Sequence, residues 1–106
     1  MSLVEKDLRH HQRILVPEGR KIQAQGMRPI LIGTVTVIGL GGLFIRTGNT
    51  QPCGTVLRLK LTDPFIALDA ECTVRHVAEN GIGVEITGLT LQNEHKLKTL
   101  LLQIKT

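Results

Sequence analysis

Apolar residues recur at every second position through most of this chain, and only near the C-terminus does their spacing lengthen to that of a helix. Val56-Leu57-Arg58-Leu59-Lys60-Leu61 alternates most clearly. Leu57, Leu59 and Leu61 fall on one side and Arg58 and Lys60 on the other, as in a strand with one face in a core and one in water. Phe65 to Val77 predicts a longer strand with room for a bulge, and Ile82, Val84 and Ile86 line one face of the strand returning from it. Between these two, Asn80-Gly81 predicts a hairpin through a type I′ turn, whose central residues take positive φ. After Gly88 the period changes. Leu97, Leu100, Leu101 and Ile104 recur at i, i+3, i+4 and i+7, the stripe of an amphipathic helix. Thr90 is placed to cap it, Glu94 sits in its first turn where the helix dipole favours an anion, and Lys96, Lys98 and Lys105 fill the solvent side.

Upstream, Gly33-Thr34-Val35-Thr36-Val37-Ile38 runs into Gly39-Leu40-Gly41-Gly42 and out again as Leu43-Phe44-Ile45. Val35, Val37 and Ile38 favour a pleated strand, and the three glycines permit positive φ and close approach of another group. Such a corner either receives a ligand on its bare backbone or closes a barrel. Ahead of it, Arg20 to Gln25 alternates partially and predicts a half-exposed strand, punctuated by Gly26 and Pro29. Ile14-Leu15-Val16 is a short apolar run stopped by the turn signature Pro17-Glu18-Gly19. Thr47 to Pro52 reads as a turn and Asp63-Pro64 as a corner. Residues 4–13 are charged with two apolar positions, which predicts an exposed arm or a single helical turn. Six or seven short antiparallel strands followed by one helix imply a small barrel or strongly coiled sheet plugged by that helix.

A chain of 106 residues is one domain with enough length for a core. Thirteen Lys and Arg against nine Asp and Glu leave a net charge of +4, a modest excess suited to an anionic partner. Cys53 and Cys72 lack CxxC spacing and read as buried thiols in a reducing cytoplasm. No secretory leader pattern and no membrane-spanning apolar run is present in the sequence, so a soluble cytoplasmic domain is expected.

Catalytic chemistry finds little support. His10 and His11 are adjacent and His76 and His95 are isolated, so no metal-ligand spacing results. Ser2 is the only serine, which excludes a nucleophile elbow. Gly39-x-Gly41 would need a third glycine where Phe44 stands, and no Gly-Lys-Ser/Thr occurs, so Rossmann and P-loop readings fail. Phe44 and Phe65 are the only aromatics, too few for a nucleic-acid stacking surface. There remain Arg9 and Arg13, four apart. They share one face of a helical turn or both reach inward from a looped arm. Guanidinium matches phosphate bidentately and equally the O6 and N7 edge of guanine. By residue chemistry alone, a solvated pair in a charged arm is the simpler reading.

Arg9-x-x-x-Arg13, followed by a strand entering Gly39-Leu40-Gly41-Gly42-Leu43-Phe44-Ile45, resembles the PilZ domain, a family of bacterial cyclic di-GMP receptors. Gly54-Thr55-Val56-Leu57-Arg58-Leu59 is similar to the family's third core strand, and Gly81-Ile82-Gly83-Val84-Glu85-Ile86 with the leucine-rich helix to its closing hairpin and C-terminal helix. The resemblance implies an all-β fold with a C-terminal helix, a six-stranded antiparallel β-barrel of the split-barrel type. It implies an arm over residues 1–13 carrying RxxxR, and a barrel over 14–106 with its helix at about 90–104. It also implies that Arg9 and Arg13, with Gly39, Gly41 and Gly42, bind cyclic di-GMP, and that arm ordering signals to a downstream protein partner. No metal, cofactor, nucleic acid or enzymatic activity is expected. The family's second motif, Asp or Asn-x-Ser-x-x-Gly, falls on Val37 to Gly42, and of its fixed positions only Gly42 matches. Val37 and Gly39 lack the expected carboxylate or amide and hydroxyl, which motivates the alternative of a divergent PilZ-like domain acting through protein contacts.

Overall fold

A computed structural model of the chain describes residues 13–105. Over these residues there are seven strands, β1 (Ile14–Leu15), β2 (Gln23–Met27), β3 (Ile30–Ile38), β4 (Gly42–Arg46), β5 (Val56–Thr62), β6 (Ala67–Ala78) and β7 (Gly81–Gly88), followed by a helix, α1 (Leu91–Lys105). Six of them close a ring in the order β3-β2-β5-β6-β7-β4, with β4 returning to β3. Every pairing is antiparallel. The fold is thus the six-stranded barrel with a C-terminal helix that the resemblance implies, and the closed form of the two that the alternation left open.

Closure depends on β3 being longer than its partners. Its first half pairs with β2, from Met27↔Ile30 to Gln23↔Thr34, and its second half with β4, from Thr34↔Arg46 to Ile38↔Leu43. A register shift between Val35 and Val37 bends the strand where it changes partners, as a bulge does. Where β2 has ended, β1 takes its place beside β3, Ile14 opposite Ile38 and Leu15 opposite Val37. Beyond Arg46 the chain leaves the sheet, and two side chains replace the lost ladder. Thr47 Oγ1 donates to the Ile32 carbonyl at 2.8 Å and Asn49 Nδ2 to that of Ile30 at 2.6 Å. An edge with its acceptors occupied in this way is closed to further strand pairing.

The interior is aliphatic. Leu57, Leu59 and Leu61 point inward while Arg58 and Lys60 face solvent, and Ile22, Leu31, Ile38, Ile45 and Ile82 are fully buried beside them. Thr90 caps α1 by accepting the Asn93 N–H on its Oγ1 at 3.1 Å, and Leu97, Leu100, Leu101 and Ile104 bury the helix stripe in the same core. At about 1.5–3 kcal/mol for each large aliphatic side chain buried, this stripe fastens α1 firmly to the barrel.

Four local expectations are corrected. The strand expected at Arg20 to Gln25 begins at Gln23 and runs through Gly26 to Met27, because Gly26 sits inward beneath Leu59, where a Cβ would lie 3.3 Å from its Cδ2. The β6–β7 hairpin forms with Ala78 opposite Gly81, but neither Asn80 nor Gly81 has positive φ; among the described residues Gly54 alone does. Gly81 is needed instead for close approach, since a Cβ there would strike the Ile45 carbonyl. Gly39, Gly41 and Gly42 likewise turn the chain without positive φ. Cys53 is exposed rather than buried, and only Cys72 is enclosed. Burial, then the neighbouring Glu71 charge, push the Cys72 thiol up to about 12, so it stays protonated.

Candidate functional site

The β3–β4 connection is held by the main chain. Gly39 N–H donates to the Gly42 carbonyl at 2.9 Å, and the Ile86 N–H of β7 donates to that of Gly41 at 2.9 Å. Gly42 lies so near β7 that a Cβ would stand 2.5 Å from the Val84 carbonyl oxygen. The bend therefore offers a surface almost without side chains.

Beside it opens a groove of about 620 Å³, lined by Arg13, Val37, Gly41 to Phe44, Arg75, His76 and Gly83 to Glu85. Its floor follows from register. On the outer face of the barrel, Val37 stands opposite Phe44, Phe44 opposite Gly83, and Gly83 opposite His76, a single row crossing β3, β4, β7 and β6. One step along, Gly42 is opposite Glu85, whose Oε1 accepts from Arg75 Nε at 2.7 Å. Arg13 arrives because β1 docks beside the end of β3, immediately before the bend.

Of the residues singled out in the sequence, Arg13, Gly41 and Gly42 line this groove. Gly39 is buried behind it with its N–H committed to Gly42, which withdraws that group from any anion contact of the nest type. Arg9 lies outside the described residues. The sequence reading missed Phe44, Arg75, His76 and Glu85. The period-2 pattern marks Gly83 and Glu85 as outward, opposite the buried Ile82 and Val84, but which strand they face is a property of pairing.

A larger groove, about 830 Å³, lies across the β2–β3 hairpin and the outer faces of β5 and β6. Its lining cations, Arg58 and Lys60, stand 3.8 and 3.1 Å from Glu71 and Asp69. Two cations against two anions leave it formally neutral, whereas the groove at the bend has Arg13 and Arg75 against Glu85. An anionic ligand is therefore better matched to the smaller groove. Among the described residues no group of His, Cys, Asp and Glu could hold a metal ion, and no helix is long and apolar enough to cross a membrane.

The family model of the PilZ domain matches residues 7–103. No curated protein matches the chain. Among solved structures, the PilZ domain with c-di-GMP of YcgR from Escherichia coli superposes with a TM-score of 0.74 at 9% identity, over 91% of this chain and 90% of that one. The Bacillus subtilis inhibitor of motility, MotI/DgrA, gives 0.70 at 17% identity over 91% of this chain and 50% of its own. The PilZ domain of CeSA from a cellulose-synthesizing bacterium gives 0.67 at 12% identity, over 90% and 99%. At such identities these likenesses establish the fold.

Proposed function

The chain belongs to the PilZ domain family, and from that premise we propose that it is a cyclic di-GMP receptor, a cytoplasmic regulatory module whose arm orders over the barrel when the ligand binds. One observation carries the reading. The short pairing of β1 with β3 delivers Arg13, the second arginine of RxxxR, to a cationic groove beside the glycine bend. There its guanidinium can take a phosphate or the O6 and N7 edge of guanine, and Arg9, on the same arm, supplies the second fork. The c-di-GMP-bound YcgR domain shares the barrel. Ligand-dependent placement of the arm then alters the surface offered to a protein partner.

Val37 and Gly39 cannot make the hydrogen bonds of the second motif. A bond to a charged group is worth about 1.5–3 kcal/mol and a neutral one about 1, so their loss weakens binding by roughly 10²- to 10³-fold. Calorimetric titration with cyclic di-GMP tests the proposal. Micromolar binding is expected in the unaltered protein, lowered at least about ten-fold, the worth of one charged contact, in Arg9→Ala and in Arg13→Ala. Absence of heat up to about 1 mM, an affinity weaker than about −4 kcal/mol, overturns it.

A further inference from the structure

Resting on that reading, we propose that the face of β4 and β7 holds a seat for one guanine base, stacked on Phe44 and read by Glu85. Two glycines create the platform. A Cβ on Gly81 would lie 2.9 Å from Phe44 Cε2, and one on Gly83 would lie 3.9 Å from Phe44 Cδ1. The ring thus lies along β7 over positions without side chains, and Phe44 remains part-exposed to the groove. On the other flank of Gly83 stands His76, its Cβ 3.4 Å from where a Cβ of Gly83 would be. A planar base fits a platform of this kind, because any base presents a π-face to a ring.

Selection among bases falls to Glu85. Among the described residues it is the only carboxylate lining the groove, and it projects from β7 two residues beyond Gly83, on the same face. On the β4 side its cross-strand neighbour is Gly42, so no side chain opposes it there, and on the β6 side it is Thr73. Arg75, at 2.7 Å from Oε1, is the positioning residue. A carboxylate accepts several hydrogen bonds, and one guanidinium leaves capacity for more. Guanine presents N1–H and N2–H₂ as adjacent donors on its Watson–Crick edge, whereas adenine places the N1 lone pair beside its N6 amino group. A carboxylate therefore gains two bonds from guanine and meets repulsion from adenine. Glu85 on this account supplies the carboxylate that Val37 does not.

The test titrates the protein, Phe44→Leu, Glu85→Gln and Arg13→Ala with cyclic di-GMP and cyclic di-AMP by calorimetry. Guanosine monophosphate is followed in parallel through the amide resonances of His76 and Gly83. Circular dichroism checks that each variant is folded, and Glu85→Gln, an exposed position, keeps the test informative if Phe44→Leu fails. Phe44→Leu is expected to weaken cyclic di-GMP about ten-fold. Glu85→Gln should weaken it about ten-fold and narrow the preference over cyclic di-AMP by a similar factor. If both variants bind as the unaltered protein does while Arg13→Ala loses binding, the seat is wrong and the receptor reading stands. If guanosine monophosphate shifts the two amides and Phe44→Leu abolishes the shifts, while cyclic di-GMP gives no heat, the seat stands and the receptor reading falls. Failure of cyclic di-GMP and guanosine monophosphate alike to bind overturns both readings.

Discussion

Two turns of this barrel are built on opposite plans. At the β5–β6 corner a single carboxylate gathers everything near it. Asp63 Oδ1 accepts the Phe65 and Ile66 N–H groups, each at 2.8 Å, and Oδ2 accepts Arg20 Nη2 at 2.7 Å and Nε at 3.0 Å. Arg20 also donates to Gln103 of α1 at 2.7 Å, and its guanidinium stands 5.9 Å from the Phe65 ring centre. At the glycine bend, side chains are nearly absent and main-chain pairs close the turn. The corner uses its polar groups on the fold itself, while the bend is closed by the main chain and leaves an open groove beside it, where the proposed function seats a ligand. Removing a side chain should therefore cost stability at the corner, and altering the groove-facing side chains beside the bend should change binding.

The largest effect is expected from Asp63→Ala. The side chain of Asp63 has no exposed surface and that of Arg20 is 22% exposed, so the variant strands a guanidinium and two N–H groups. Each hydrogen bond to a charged group contributes about 1.5–3 kcal/mol, and Asp63→Ala removes the acceptor of several at once in a part-buried pair, a loss measurable by urea unfolding at pH 7. Burial alone would raise the Asp63 carboxyl, but the N–H bonds from Phe65 and Ile66 and the Arg20 guanidinium hold it below its ordinary value. Its contribution is thus complete above the unfolded carboxyl value of about 3.9 and is lost as pH falls through the lowered folded value. The stability gap to Asp63→Ala should narrow below about pH 4. A gap independent of pH would mean that packing, and not the charge, holds the corner.

Next comes Gly42→Ala, which tests whether the bend is bare for a structural reason. The added methyl would meet the Val84 carbonyl at 2.5 Å, and the β4–β7 ladder must spread to admit it. Overpacking of this kind costs about 1–3 kcal/mol, again read by urea unfolding. A neutral result would show that the strands can separate freely beside the groove.

The difference between the two turns also explains what could be read in advance. Alternation placed Leu57, Leu59 and Leu61 inside and the 3.6-residue period placed Leu97, Leu100, Leu101 and Ile104 on one helical face, because both patterns are local. The hairpin at Ala78 and Gly81 was also legible, though its glycine answers to the Ile45 carbonyl across the sheet and not to its own φ. Arg20 and Asp63 are 43 residues apart, so Asp63-Pro64 announced a corner but not its cation. In the groove, Arg13 was marked by RxxxR. Phe44, Arg75, His76 and Glu85 were not, since register shifts at Glu71/Cys72 and Val74/His76 decide which residues of β6 and β7 meet. Contacts across strands depend on pairing, which no short stretch of sequence encodes.

The smallest change in energy is expected where the two plans can be exchanged, at Val37→Asp. Val37 is part-exposed on the groove face of β3, opposite Leu15 on β1 and Phe44 on β4, so a shorter polar side chain leaves no enclosed cavity. The lower strand propensity of Asp spans at most about 1 kcal/mol. The new carboxylate provides the group that the second PilZ motif carries at this position, and a charged hydrogen bond to the ligand should raise cyclic di-GMP affinity about ten-fold. Repeating the titration in Arg13→Ala separates two causes. If the carboxylate acts on the base, the gain persists without Arg13; if it acts by drawing the arginine into the groove, the gain disappears with it. Either gain supports a bend whose openness is reserved for a ligand. Loss of several kcal/mol of stability without any gain in binding would instead make Val37 part of the scaffold, like Asp63 at the corner.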